Sequence, residues 1–221
     1  MTTSLTVYLT TQASATLSSA NQLSTSTTAG TSTTTRTTKV GSGVSGYGEC
    51  VAQGTSSAWA AAGSIGTTPT GKGWFLDSNI LDSQNLLGGN YTPKVRHTLT
   101  AGTMTVDIYL RAWRYRSGTY TLIGTWSKTG VNLSTSLTST NLTVASAAQI
   151  SFAVGDRLYL EMWLNITTPN GSAGDLLVTE CSVAGGGNTN VELVTPGYQP
   201  TPAASTGSAV KRLNRRKVVW P

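Results

Sequence analysis

Apolar and polar residues alternate with a period of two through much of this chain. Met104, Val106, Ile108, Leu110 and Ala112 fall on one face of an extended segment, and Asp107, Tyr109, Arg111, Trp113 and Tyr115 on the other. The pattern returns in Leu158, Leu160, Met162, Leu164 and Ile166, opposed by Tyr159, Glu161, Trp163 and Asn165. Shorter alternations predict strands over 5–9, 73–77, 95–100, 120–126, 176–183 and 191–194. The punctuation between them is turn chemistry: Gly71-Lys72-Gly73, a loop at Gly88-Gly89-Asn90, a hairpin turn at Ser117-Gly118 and a turn at Asn170-Gly171. Residues 52–62 read as a further strand carrying Trp59, and part of the Ser/Thr-rich 30–40 tract as a polar edge strand, because the branched Thr side chain suits a pleated surface. No stretch carries a 3.6-residue period. Eight to ten strands of this kind predict an all-β chain: a two-sheet antiparallel sandwich, jelly-roll-like, over 1–196.

Composition agrees and narrows the picture. Of 221 residues, 39 are Thr, 25 Ser and 24 Gly, while charged residues make up 11%. That is under half the usual share of about 25%, too few charges to solvate the outer faces of a helical bundle. Hydroxyls carry the solvation instead. One His, two Cys and nine acids leave little for a protein-built metal centre, and no cofactor or metal is expected. Cys50 and Cys181 fit no ligand spacing and read as small buried side chains or, less simply, as a pair across the fold. Apolar runs stay well below the ~18 residues of a bilayer span, and the opening Met1-Thr2-Thr3-Ser4-Leu5 lacks the basic stretch and apolar core of a secretory signal. The expectation is a protein with neither membrane span nor signal peptide.

The net charge of +6 sits almost entirely at one end. Lys211, Arg212, Arg215, Arg216 and Lys217 are five bases without an acid, and the remainder holds ten bases against nine acids. The body is nearly neutral. Residues 197–210, small and Pro/Ala/Ser-rich, read as a linker, and 211–221 as a basic arm with Trp220 as an aromatic anchor, built to dock on a partner. The competing reading is a solvated chain end.

Candidate chemistry is sparse. His97 is the sole neutral general base, and no G-x-S-x-G elbow or phosphate-binding glycine loop surrounds a nucleophile. Asp107 and Glu161 share the outward faces of long strands and would be the carboxylates of a glycosidase, but four arginines lie near enough to balance them. No catalytic residue is assigned. The five Asn-x-Ser/Thr triplets are what a chain this rich in hydroxyls produces unselected. The outward set Tyr109, Arg111, Trp113, Tyr159, Glu161 and Trp163 is more informative. It is either an aromatic platform for sugar faces, with Arg111 and Glu161 fixing orientation, or a surface covered by loops or a neighbouring subunit.

Four segments carry a resemblance: Gly71-Lys72-Gly73-Trp74-Phe75, the strand from Thr105 to Ala112, Gly155-Asp156-Arg157-Leu158, and Glu192-Leu193-Val194-Thr195-Pro196. Over roughly 70–196 the chain resembles Thr/Ser/Gly-rich β-sandwich structural proteins of tailed-phage and prophage virions. The resemblance implies a non-enzymatic particle component, such as a head decoration, collar or tail accessory protein, present in many copies or as a homo-oligomer and located in the virion. Its partners would be capsid, portal, collar or tail proteins. The basic arm would dock on an acidic protein surface; five charges without interleaved aromatics make nucleic acid the lesser partner. The alternative is a carbohydrate-binding host-adhesion module of a tail or fibre.

Overall fold

The structure, a computed structural model, describes residues 2–25, 35–40, 42–50, 62–143, 145–172, 174–179 and 192–201. Trp59, Cys181 and the whole of 202–221, the arm included, lie outside them.

The described residues are all β. Fifteen strands follow in order: β1 Thr3–Ala13, β2 Asn21–Ser24, β3 Thr35–Val40, β4 Gly46–Cys50, β5 Trp74–Phe75, β6 Gln84–Leu86, β7 Gly89–Leu99, β8 Met104–Arg116, β9 Thr119–Leu133, β10 Thr138–Asn141, β11 Ala145–Ala147, β12 Ile150–Phe152, β13 Arg157–Thr168, β14 Gly174–Thr179 and β15 Glu192–Pro200. Among the described residues there is no helix, hence none long and apolar enough to cross a membrane.

Hydrogen bonding links the strands in one path, β3-β14-β7-β15-β1-β2-β5-β13-β8-β9. Strands β10 and β11 add to β7, β4 adds to β13, and β6 pairs with both β12 and β15. The path doubles back into two layers. Leu5, Val7 and Leu9 of β1 and Tyr91, Val95 and Leu99 of β7 meet the even-numbered apolar residues of β8 and β13 in one buried core. Each fully buried aliphatic side chain there contributes about 1.5–3 kcal/mol. The layers also approach at one side, where Thr143 N–H donates to Ser127 O of β9 at 2.9 Å and the Trp126 ring stacks on Tyr91 at 4.9 Å. The sandwich is nearly closed.

The antiparallel sandwich expectation holds with two refinements. The layers are one connected sheet, and β2 with β5 forms a parallel pair. The 30–40 tract supplies β3, which ends the path as an edge strand. Two boundaries need correction. Gly89 and Asn90, read as loop, open β7 and pair with Ala147 and Ser146. Residues 197–200, read as the start of the linker, belong to β15: Tyr198, Gln199 and Pro200 pair with Leu86, Asn85 and Gln84, and Thr201 N–H donates to Ser83 O at 3.1 Å. The reason is local. Gly197 takes φ +112°, and its missing side chain lets Thr3 O approach, so the strand bends there rather than stopping. Tyr198 then packs on the core.

Candidate functional site: a sealed aromatic and charged face

The pleat of β8 and β13 sends their odd-numbered residues to the face away from the core, and the register sets them side by side. Tyr159 lies opposite Trp113, Glu161 opposite Arg111 and Trp163 opposite Tyr109. Strand β4 extends the face, with Glu49 opposite Trp163 and Tyr47 opposite Asn165. The six residues singled out from the alternation are therefore brought together. Glu49 and Tyr47 join them unannounced, because a five-residue strand with two glycines carries little hydrophobic signal. Their spacing of two was the available clue.

The platform reading of this face needs correction. Tyr159 and Glu161 are wholly buried, and Trp113, Trp163 and Arg111 retain 5–7% of their accessible surface. Tyr109 alone of the six is half-exposed. The cover is the chain itself, which resolves the two readings in favour of loops. Arg111 Nη1 donates to Gly66 O at 2.7 Å, and the backbone at Gly66 lies beside the Trp163 ring. Thr70 Oγ1 donates to Glu49 at 2.8 and 2.6 Å from its two oxygens. Gly73 N–H donates to the Tyr159 hydroxyl at 2.8 Å, and a Cβ there would collide with Leu160 O. Gly71-Lys72-Gly73 is thus more than a turn: its last glycine is where backbone presses on backbone. On the other flank, Ala20, Phe75, Trp113 and Tyr159 form a second small core, with Leu17, Tyr115 and Tyr120 against it.

Charge is organised around Arg111. Its guanidinium pairs with Glu161 Oε1 at 2.9 Å and stacks 4.4 Å above the Trp113 ring, whose Nε1–H donates to the same oxygen at 3.0 Å. Among the described residues Glu161 Oε2 has no hydrogen-bond partner. Burial pushes the Glu161 carboxyl above its ordinary range, although the Arg111 charge and then the neighbouring indoles pull the other way. Glu49 rises to about 7: burial is the main cause, the Thr70 hydrogen bond opposes it, and the Glu161 charge adds to it. Tyr109 is pushed up to about 12 by burial and its bond to Tyr47, whose ring centroid lies 6.1 Å away.

His97, Asp107 and Glu161 do not form one site. His97 shares the inward face of β7 with Val95 and Leu99 and is 1% exposed, so it lies in the core, on the other side of the sheet from Asp107 and Glu161. Its Nε2 is 2.8 Å from Thr140 Oγ1, and burial lowers its pKa to about 4. Asp107 braces the sheet, accepting from Gly130 N–H at 2.9 Å and Asn165 Nδ2 at 3.0 Å. Among the described residues no group of three or more His, Cys, Asp or Glu gathers to hold a metal ion. Cys50 is buried. The docking residues Lys211, Arg212, Arg215, Arg216, Lys217 and Trp220 lie outside the described residues.

No family model matches the chain, and no curated protein sequence does. Among solved structures, a CocE/NonD family hydrolase from Staphylococcus aureus aligns with 90% of this chain at 10% identity and a TM-score of 0.49. The chain spans 37% of that protein's length. Eiger TNF from S. frugiperda aligns with 53% of this chain and 65% of its own at 11% identity and a TM-score of 0.24. Neither likeness is close enough to carry an argument about activity.

Proposed function

We propose that this chain is a non-enzymatic structural component of a tailed-phage particle, a head decoration or a head, collar or tail accessory protein, held to neighbouring virion proteins by its C-terminal arm. The supporting observation is where β15 ends. Its last residues are held along β6 and the adjoining Ser83, so the described sandwich ends at a fixed point at Thr201, just before the small, Pro/Ala/Ser-rich 202–210. The chain after Thr201 carries five of the fifteen bases and no acid, while the body before it holds ten bases against nine acids. A closed, hydroxyl-coated body with one charged extension suits attachment through the extension. The sequence resemblance to virion β-sandwich proteins supplies the particle. Host adhesion through an open platform of Tyr109, Trp113, Tyr159 and Trp163 has lost its surface, since three of those four rings are covered by the chain.

The test is co-sedimentation with tailed-phage heads and tails. The full chain is compared with a variant in which Lys211, Arg212, Arg215, Arg216 and Lys217 are all glutamine. Wild-type chain should pellet with one particle fraction and release at high salt, as screened charge pairs do; the variant should stay in the supernatant. Equal pelleting of both would overturn the arm as the attachment site.

A further inference from the structure

We propose that the cavity at the end of the sandwich where β8 begins and β9 and β13 finish is a binding site for a neutral mono- or disaccharide. It is a half-open hollow of about 460 Å³, within the usual range of small-ligand pockets. Four hydroxyl residues, Thr103, Thr105, Ser134 and Thr168, line it together with the Asn132 carboxamide, and among the described residues no acid, base or His does. An ionic ligand would gain no counter-charge there for the part of its hydration that it gives up against the walls. A neutral ligand with many hydroxyls meets donors and acceptors in both senses. The exposed Pro169 ring adds apolar surface for the C–H face of a sugar, while the Met104 and Leu133 side chains belong to the core beneath.

The site is also held in shape. Thr105 Oγ1 donates to Asn132 Oδ1 at 2.9 Å, which fixes the amide and leaves its NH2 group as a donor. Behind Ser134, its carbonyl accepts from Leu99 N–H at 2.8 Å. The rim beside Gly171 is set by Asn170, itself 2% exposed. Its Nδ2 donates to Ala101 O at 2.7 Å, its Oδ1 accepts from Ser172 N–H at 3.1 Å, and its carbonyl accepts from Gly43 N–H at 3.0 Å. Gly102, at φ +74°, makes room for that amide. Little ordering remains to be done when a ligand arrives.

The inference goes beyond attachment through the arm and does not rest on it. Saturation-transfer NMR on the full chain, with D-glucose, D-galactose and N-acetyl-D-glucosamine as probes and N-acetylneuraminic acid as the charged control, decides it. At least one neutral sugar should receive transfer and the acid none. The effect should fall about fivefold in Asn132→Ala and in Thr168→Val, each removing roughly one hydrogen bond. Both side chains are exposed, so the fold should survive, and an unchanged thermal transition checks this. Transfer to none of the three neutral sugars, preference for the acid, or transfer undiminished in both folded variants would each overturn the proposal.

Discussion

Removing either member of the Arg111–Glu161 pair strands the other where water does not reach. Breaking a buried ion pair from one side costs about 3–5 kcal/mol, whereas replacing both partners by apolar residues of similar volume is often nearly neutral. Arg111→Met and Glu161→Gln should therefore each lower unfolding free energy by about that amount. The double variant Arg111→Met/Glu161→Leu should lose less than either alone, read by urea denaturation. Additive losses would show that the pair is not the unit holding this face together. Gly73→Ala should cost more than the ordinary ~0.5–3 kcal/mol of a point substitution, because Leu160 O and the Tyr159 hydroxyl occupy the space its Cβ needs. Gly63→Ala, with nothing within 4 Å, is the control. At this scale the alternation located the face but not its cover. Glu161 and Trp163 declare their side of the strand by parity alone. Gly66, Thr70 and Gly73, which lie on this face against Trp163, Glu49 and Tyr159, come from far back in the sequence and bear no pattern linking them to β13.

Segment 62–73 acts as a strap across β4, β13 and β8, and Glu49 is the titrating point beneath it. The groups acting on Glu49 are Thr70 and Lys72 of the strap, Glu161 of β13 and Arg111 of β8. Because its folded pKa is raised from 4.5 to about 7, the folded state keeps a proton that the unfolded state has released between those values. The contribution of this group to stability therefore falls as pH rises from 4.5 to 7 and is level beyond. Glu49→Gln should remove that fall: in urea unfolding, wild type should lose stability relative to the variant between about pH 5 and about pH 8, because the opposite contribution of buried His97 is common to both. A variant as pH-dependent as the wild type would place the effect elsewhere. Long strands were legible as elements because ten or more residues of alternation leave one solution. The three- and four-residue strands β2, β6, β10, β11 and β12 were not, since a strand that short exists by its partner. The same reasoning explains β15, whose Pro-Gly-Tyr-Gln-Pro continuation reads as linker until β6 is seen beside it.

For the whole molecule, period-two patterning and hydroxyl-rich composition were enough to give an all-β sandwich, because those residues can bury one face and solvate the other only in sheets. They could not give the closure of the two layers or the folding of loops onto the outer face, which depend on pairings across the chain. These features matter for function. They leave a sealed, nearly neutral body, and the proposed attachment to a particle falls to the basic residues 211–217. Hydrogen–deuterium exchange of the full chain, free and bound to phage particles, tests that division most directly. The account predicts new protection in 211–220 and unchanged exchange across β8 and β13. Protection of 107–113 and 159–165 with none in 211–220 would contradict it, placing the contact on the sandwich instead.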